Sequence, residues 1–159
     1  MDKPIPEKAE LLQTLKEDGF NVPDFIYLTA GQFEKKDFGP LNWFLKQHQE
    51  SFKVIARSAH PSESHFKGGT FDSLETYADV AGIEYARKKM IKLAATSKKL
   101  SIQRQQRFNN APQINLDQMG IIVMPFVDGS SVMAKMIRNS WEFGYCRDRF
   151  KDALERHTG

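Results

Sequence analysis

The chain has 159 residues, 40% of them hydrophobic and 27% charged, with a formal net charge of +3. These values are ordinary for a globular domain, and the mild positive charge suits an anionic ligand without demanding nucleic acid. The single cysteine, Cys146, excludes an internal disulfide, and the longest apolar run, 121–127, is too short to span a bilayer. No signal peptide is recognisable. We therefore expect one cytoplasmic domain over 1–159.

The first fifty residues predict three helices and a strand. Pro4–Gly19 has leucines at helical spacing and a glycine at its end, so it is expected to be a helix. Phe25–Leu28 is β-prone and short, which predicts a strand. Two short helices are expected over Ala30–Lys36 and Pro40–Glu50.

The next stretch combines a strand, a cation and a glycine pair. Phe52–Ala56 is β-prone and ends on Arg57, a polar segment follows, and Gly68-Gly69 precedes a second strand-like run, Phe71–Tyr77. Glycines let backbone N–H groups approach an anion, and a guanidinium adds charge, so a phosphate site is one interpretation. A plain hairpin with a long loop is the other. No Walker A or dinucleotide motif decides between them.

Gly82–Ser97 is the clearest amphipathic helix, and one face of it is basic. Eight cations and no acid lie between Ala86 and Leu116. A solvated helix face explains such a run, and a nucleic-acid patch is the alternative. Aromatic residues do not alternate with the cations, which disfavours a domain that binds single-stranded nucleic acid.

The last third predicts a buried strand, a turn, a partner strand and a helix. Met119–Val127 is almost wholly apolar, and Asp128-Gly129 indicates a turn before a strand over Ser130–Met136. Ser140–Arg156 is expected to form a helix with Phe143 on its apolar face.

Histidine and cysteine chemistry is not indicated by the sequence. The four histidines and the cysteine show no zinc spacing. His60 and His65 lie in one loop, but no third ligand accompanies them. Cys146 has no catalytic-cysteine motif around it.

Three motifs in order resemble the pyruvate phosphate dikinase and phosphoenolpyruvate synthase family. Arg57-Ser58-Ala59 with Glu63 resembles its R-S-S-A-x-x-E-D loop, Phe66-Lys67-Gly68 its S-F-A-G loop, and Glu75-Thr76-Tyr77 its E-T-Y strand. This chain has alanine in place of the second serine of the first motif. The opening helix and its G-F-x-V-P turn also resemble the family, and Lys8 falls where the family has a nucleotide-binding lysine.

The resemblance implies an α+β fold, the N-terminal lobe of an ATP-grasp domain, with a mixed, largely antiparallel sheet flanked by helices. It implies a phosphotransferase that moves phosphate from ATP through a histidine to pyruvate or a similar acceptor. Magnesium ligands are expected from a second lobe that is not recognisable in this chain. The implied partners are a nucleotide and the rest of a longer polypeptide or a phosphohistidine domain, with no membrane.

The resemblance also implies a nucleotide site drawn from five parts of the chain. Arg57 is expected to bind and neutralise phosphates as the catalytic residue, and Glu63 to orient it. A strand ending in the adenine hinge is expected to hold the base through backbone groups. The implied nucleotide-binding residues are Lys8, Arg57, Gly68, Gly69, Thr70, Thr76, Met124, Phe126 and Val127.

Two other functions remain open at this point. The absence of a recognisable second lobe is also expected of a non-catalytic interaction module. The basic run is also expected of a nucleic-acid-binding domain, whose affinity would fall steeply with salt.

Overall fold

A computed structural model describes residues 5–63, 73–96 and 115–147. By its internal contacts the chain divides into two compact units, Met1–Phe126 and Val127–Gly159. The fold is mixed α and β, with antiparallel sheets and flanking helices, as the sequence predicts.

The described part of the first unit contains four α-helices close to the predicted ranges. They are α1 (Glu7–Glu17), α2 (Ala30–Glu34), α3 (Gly39–Gln47) and α4 (Val80–Thr96). The start of α2 is fixed by a reciprocal capping box in which the Thr29 and Gln32 side chains each bond the other's backbone. None of the helices in the described ranges is long and apolar enough to cross a bilayer.

Four strands among the described residues of this unit form one antiparallel sheet. They are β1 (Ile26–Leu28), β2 (Lys53–Ala59), β3 (Ser73–Tyr77) and β4 (Gly120–Pro125), in the spatial order β1-β4-β2-β3. β2 and β3 pair antiparallel over 53–57 and 73–77, the strand pairing that the hairpin interpretation expects. β4 is central, since it pairs with β1 on one side and β2 on the other.

One side of this sheet, which we call the core face, packs on helices α2, α3 and α4. Its residues alternate along each strand, as a pleated sheet requires. They are Leu28, Val54, Ala56, Ile121 and Val123, all at most 1% exposed and all in one cluster with helix side chains. These apolar contacts form the main core of the unit.

The opposite side, which we call the α1 face, is covered by α1 over only part of its area. Ala9 and Leu12 of the helix cluster with Tyr27, Ile122 and Met124 of the strands. Gly120 allows Tyr27 to lie across β4, because a Cβ at that glycine would come within 2.6 Å of the Tyr27 ring and 2.8 Å of the Leu28 carbonyl oxygen.

A short 3₁₀ helix, Leu116–Gln118, leads into β4 and is tied to α4 by Arg87. The guanidinium donates from Nε to the Met119 carbonyl and from Nη2 to the Asp117 carbonyl, both at 2.8 Å. It also lies 4.9 Å from the centroid of the Phe33 ring. Arg87, one of the eight cations between Ala86 and Leu116, therefore stabilises the fold by joining α4 to the segment that precedes β4.

The second unit contains a hairpin of β5 (Ser131–Ile137) and β6 (Ser140–Cys146). The predicted helix over 140–156 is wrong for 140–147, where β6 is followed by a bend, and 148–156 lies outside the described residues. Arg138 and Asn139 both have positive φ, 47° and 64°, as a type I′ hairpin turn requires. Aromatic residues at 141, 143 and 145 follow the strand period of two and line one side of the hairpin.

Candidate functional site

Arg57 lies near the end of β2, on the α1 face. The register places it beside Ile122 of β4 and Ser73 of β3. It is partly buried, and its Nη1 lies 4.0 Å from the Met124 sulfur. No carboxylate within 5–63, 73–96 or 115–147 forms an ion pair with Arg57. A guanidinium carries five N–H donors in a planar fork, a geometry that matches a carboxylate or a phosphate.

Lys8 reaches the same end of β2 from the first turn of α1. Its ammonium donates to the carbonyl oxygen of Ser58, at 2.8 Å, and forms an ion pair with Glu63. The Lys8 side chain is 26% exposed and the Glu63 side chain 20%. The fold therefore brings a helix cation to the residue that follows Arg57, across about fifty positions of sequence.

Three donors converge on the carboxylate of Glu63. Oε1 accepts from the Lys8 ammonium and lies 3.5 Å from the Ser58 hydroxyl, and Oε2 accepts the backbone N–H of His60 at 3.2 Å. The prediction that Glu63 orients Arg57 is wrong, because the turn after β2 directs the carboxylate to Lys8 and the loop backbone. We call Lys8, Ser58, His60 and Glu63 the β2-end cluster.

His60 is a buried structural member of that cluster, at 1% exposure. Its Nδ1 accepts the backbone N–H of Ser62 at 3.0 Å, and its Nε2 lies 2.6 Å from the carbonyl oxygen of Asn115. These partners require the neutral tautomer with hydrogen on Nε2. No group of three metal-ligating side chains occurs in the described part of the chain.

Thr76 is not brought together with Arg57. Thr76 pairs with Val54 of the core face, whereas Arg57 is on the α1 face. The Thr76 hydroxyl donates to the carbonyl oxygen of Gly82 in α4, at 3.0 Å. The structure thus uses this threonine to fix the start of α4 against the sheet.

The expected adenine segment begins where β4 ends. Met124 is 8% exposed and packs in the α1-face cluster, so its side chain is part of the core. The Phe126 N–H donates to the Lys53 carbonyl at 3.4 Å, which extends the pairing with β2 by one residue. The register of β1 stops at Val123. Val127 is exposed and belongs to the second unit.

Three expected phosphate-binding residues, Gly68, Gly69 and Thr70, lie outside the described residues. The predicted juxtaposition of the glycine pair with Arg57 therefore remains a prediction. The two parts of the site that the structure does bring together, Lys8 and the end of β2, come from the opening helix and the Arg-Ser-Ala motif.

Of the cations between Ala86 and Leu116, the described ones either bond the backbone or are exposed to solvent. Arg87 is committed to backbone carbonyls, whereas Lys88, Lys89 and Lys92 of α4 are exposed. The other four cations, Lys98, Lys99, Arg104 and Arg107, lie outside the described residues. The described part of the run thus matches a solvated helix face.

Sequence reasoning from the residues did not link Lys8 with Glu63 or Ser58. One local signal was available: Glu63 follows His60 by three positions, the spacing at which a carboxylate caps a turn's backbone N–H. The pairing with Lys8 has no local signal. No protein-family model matches the chain, and neither a curated protein nor a solved structure shows significant similarity to it.

Proposed function

We propose that this chain binds the phosphates of ATP at the end of β2, as the nucleotide-binding part of a phosphotransferase. The enzyme class is that of pyruvate phosphate dikinase and phosphoenolpyruvate synthase, and the first unit is the N-terminal lobe of an ATP-grasp domain. One observation carries the proposal. The ammonium of Lys8 is bonded to the carbonyl of Ser58, the residue that follows Arg57 in β2, so both cations belong to the same strand end.

The chemistry of phosphoryl transfer fits such a pair. The protein mainly positions the nucleotide and neutralises charge on the phosphate oxygens. Arg57 supplies a planar, bidentate donor set, and Lys8 supplies a compact charge on a rigid helix. Backbone N–H groups from 68–70 complete the phosphate contacts in this proposal, and residues of a second lobe hold the magnesium ion.

The base is proposed to contact the main chain at the end of β4. Residues 124–126 continue the central strand past the last β1 partner, Val123. Backbone recognition is insensitive to side-chain identity, so Met124 packing into the core is compatible with it. Pro125 accepts through its carbonyl but has no N–H to donate.

A second candidate function, a non-catalytic interaction module, is favoured by the hairpin of the second unit. Trp141, Phe143 and Tyr145 share one side of β6 and are 58%, 62% and 74% exposed. A surface of three adjacent aromatic side chains is typical of a protein contact.

Arg57→Ala is expected to weaken Mg-ATP binding roughly ten- to a hundredfold, because it removes a charge-assisted contact of about 1.5–3 kcal/mol. Isothermal titration calorimetry measures the affinity, and thermal unfolding with and without Mg-ATP reports the same binding as a rise in Tm.

Lys16→Ala is the matched control for cation removal, since Lys16 lies at the other end of α1 and pairs with Asp24. It should leave the affinity unchanged. Equal affinities of Arg57→Ala and the parent chain would overturn the site. No binding by the parent chain, together with capture of a protein partner, would favour the interaction module.

A further inference from the structure

The carboxylate of Glu63 occupies a set of donors that suits a phosphate oxygen equally well. An ammonium, a hydroxyl and a backbone N–H, from Lys8, Ser58 and His60, all face it. Lysine, backbone N–H groups and hydroxyls are the groups with which proteins hold phosphates. The β2-end cluster is therefore an anion-binding site that the Glu63 carboxylate of the same chain occupies.

The donors are held in place independently of that carboxylate. Lys8 keeps a second bond, to the Ser58 carbonyl at 2.8 Å. The backbone of His60 is fixed because both ring nitrogens are engaged, one by Ser62 and the other by Asn115. Ser58 is fully buried within β2. If the carboxylate leaves, the donor set stays ready for another anion.

We propose that Glu63 is an internal competitor for this subsite and that a phosphate oxygen of the nucleotide replaces its carboxylate. The inference rests on the proposed function and adds a regulatory step to it. A carboxylate and a phosphate side by side repel each other, and one ammonium cannot neutralise both. The apparent affinity for the ligand is then the intrinsic affinity multiplied by the fraction of molecules in which the Glu63 carboxylate has left the subsite.

The test compares Glu63→Gln with the parent chain by calorimetric titration of Mg-ATP at constant ionic strength. Glutamine keeps the shape but lacks the charge, so the affinity should rise roughly tenfold, the effect of one charge-assisted hydrogen bond. In the Glu63→Gln background, Lys8→Ala should remove most of that gain, because the released ammonium is its source.

Glu75→Gln is the matched control, since Glu75 lies on the same sheet and pairs with the exposed Lys53. It removes the same charge outside the cluster and should not change the affinity. If Glu75→Gln raised the affinity for Mg-ATP as much as Glu63→Gln does, the gain would come from the change in net charge alone, and the inference would be overturned.

The remaining outcomes separate the inference from the proposed function. Binding by the parent chain with no gain in Glu63→Gln overturns the inference and leaves the proposed function standing. No binding by either protein overturns both. If Glu63→Gln does not fold, Glu63→Asp replaces it: the shorter carboxylate should release Lys8 in part and raise the affinity, and an unchanged affinity overturns the inference.

Discussion

The two sides of the four-stranded sheet use alternate residues of the same strands for different purposes. The core face has only apolar, fully buried side chains at its centre and three helices against it. The α1 face has a smaller apolar cluster under one helix and then passes to Arg57 and to the exposed pair Lys53–Glu75. Because one side supplies most of the apolar burial, the other can carry a charged site at little cost to stability.

The largest expected effect tests the core face. Ile121→Ala should lower the free energy of unfolding by roughly 2–5 kcal/mol, because Ile121 is fully buried between the sheet and the helices. Ile55→Ala is the matched change on the α1 face, where the isoleucine is only partly buried. Urea unfolding measures both. Equal losses of unfolding free energy in the two variants would contradict the conclusion that the core face supplies most of the apolar burial.

A medium effect is expected at the close approach on the α1 face. Gly120→Ala places a Cβ within 2.8 Å of the Leu28 carbonyl oxygen, which is backbone and cannot easily move. Overpacking of this kind costs roughly 1–3 kcal/mol in unfolding free energy. Gly129→Ala, where nothing lies within 4 Å of the added carbon, is the control and should be near neutral in thermal unfolding.

The smallest expected effect concerns Tyr27, which lies across Gly120. Burial raises the pKa of the Tyr27 hydroxyl above its usual 10.0. The unfolded chain therefore ionises first, so this stability is complete below pH 10 and is lost as the pH rises from 10 toward the folded pKa.

Tyr27→Phe should reduce the loss of stability between neutral and alkaline pH, measured by urea unfolding across that range. Tyr85→Phe is the control, because Tyr85 is 63% exposed. Identical pH profiles for Tyr27→Phe and the parent chain would show that the α1 face does not bury this hydroxyl.

Most elements of the fold were predictable because their signals are local. Strong apolar periodicity marked α1, α4 and β4, and all three occur near the predicted ranges. The range 140–146 was predicted to be helical because Phe143 has helical spacing with Phe150 and Leu154. The period of two in the aromatic residues 141, 143 and 145 was the stronger local signal, and the positive φ of Arg138 and Asn139 at the turn became visible only in the structure.

The site was less predictable, because its geometry depends on register and on distant contacts. The motif at Arg57 is local and was visible in the sequence. The pairing of Lys8 with Glu63 joins residues 55 positions apart, and only packing of α1 on the sheet creates it. Thr76 was grouped with Arg57 by motif order, whereas the register of β2 with β3 places them on opposite sides.

The central position of β4 has a consequence for synthesis of the chain. β1 has no partner strand other than β4 in the described sheet, and β4 begins only at Gly120. A ribosome must therefore release nearly the whole first unit before its sheet can close. Until then the edge of β2 that pairs with β4 has no partner strand, and an unpaired strand edge favours aggregation of an incomplete sheet.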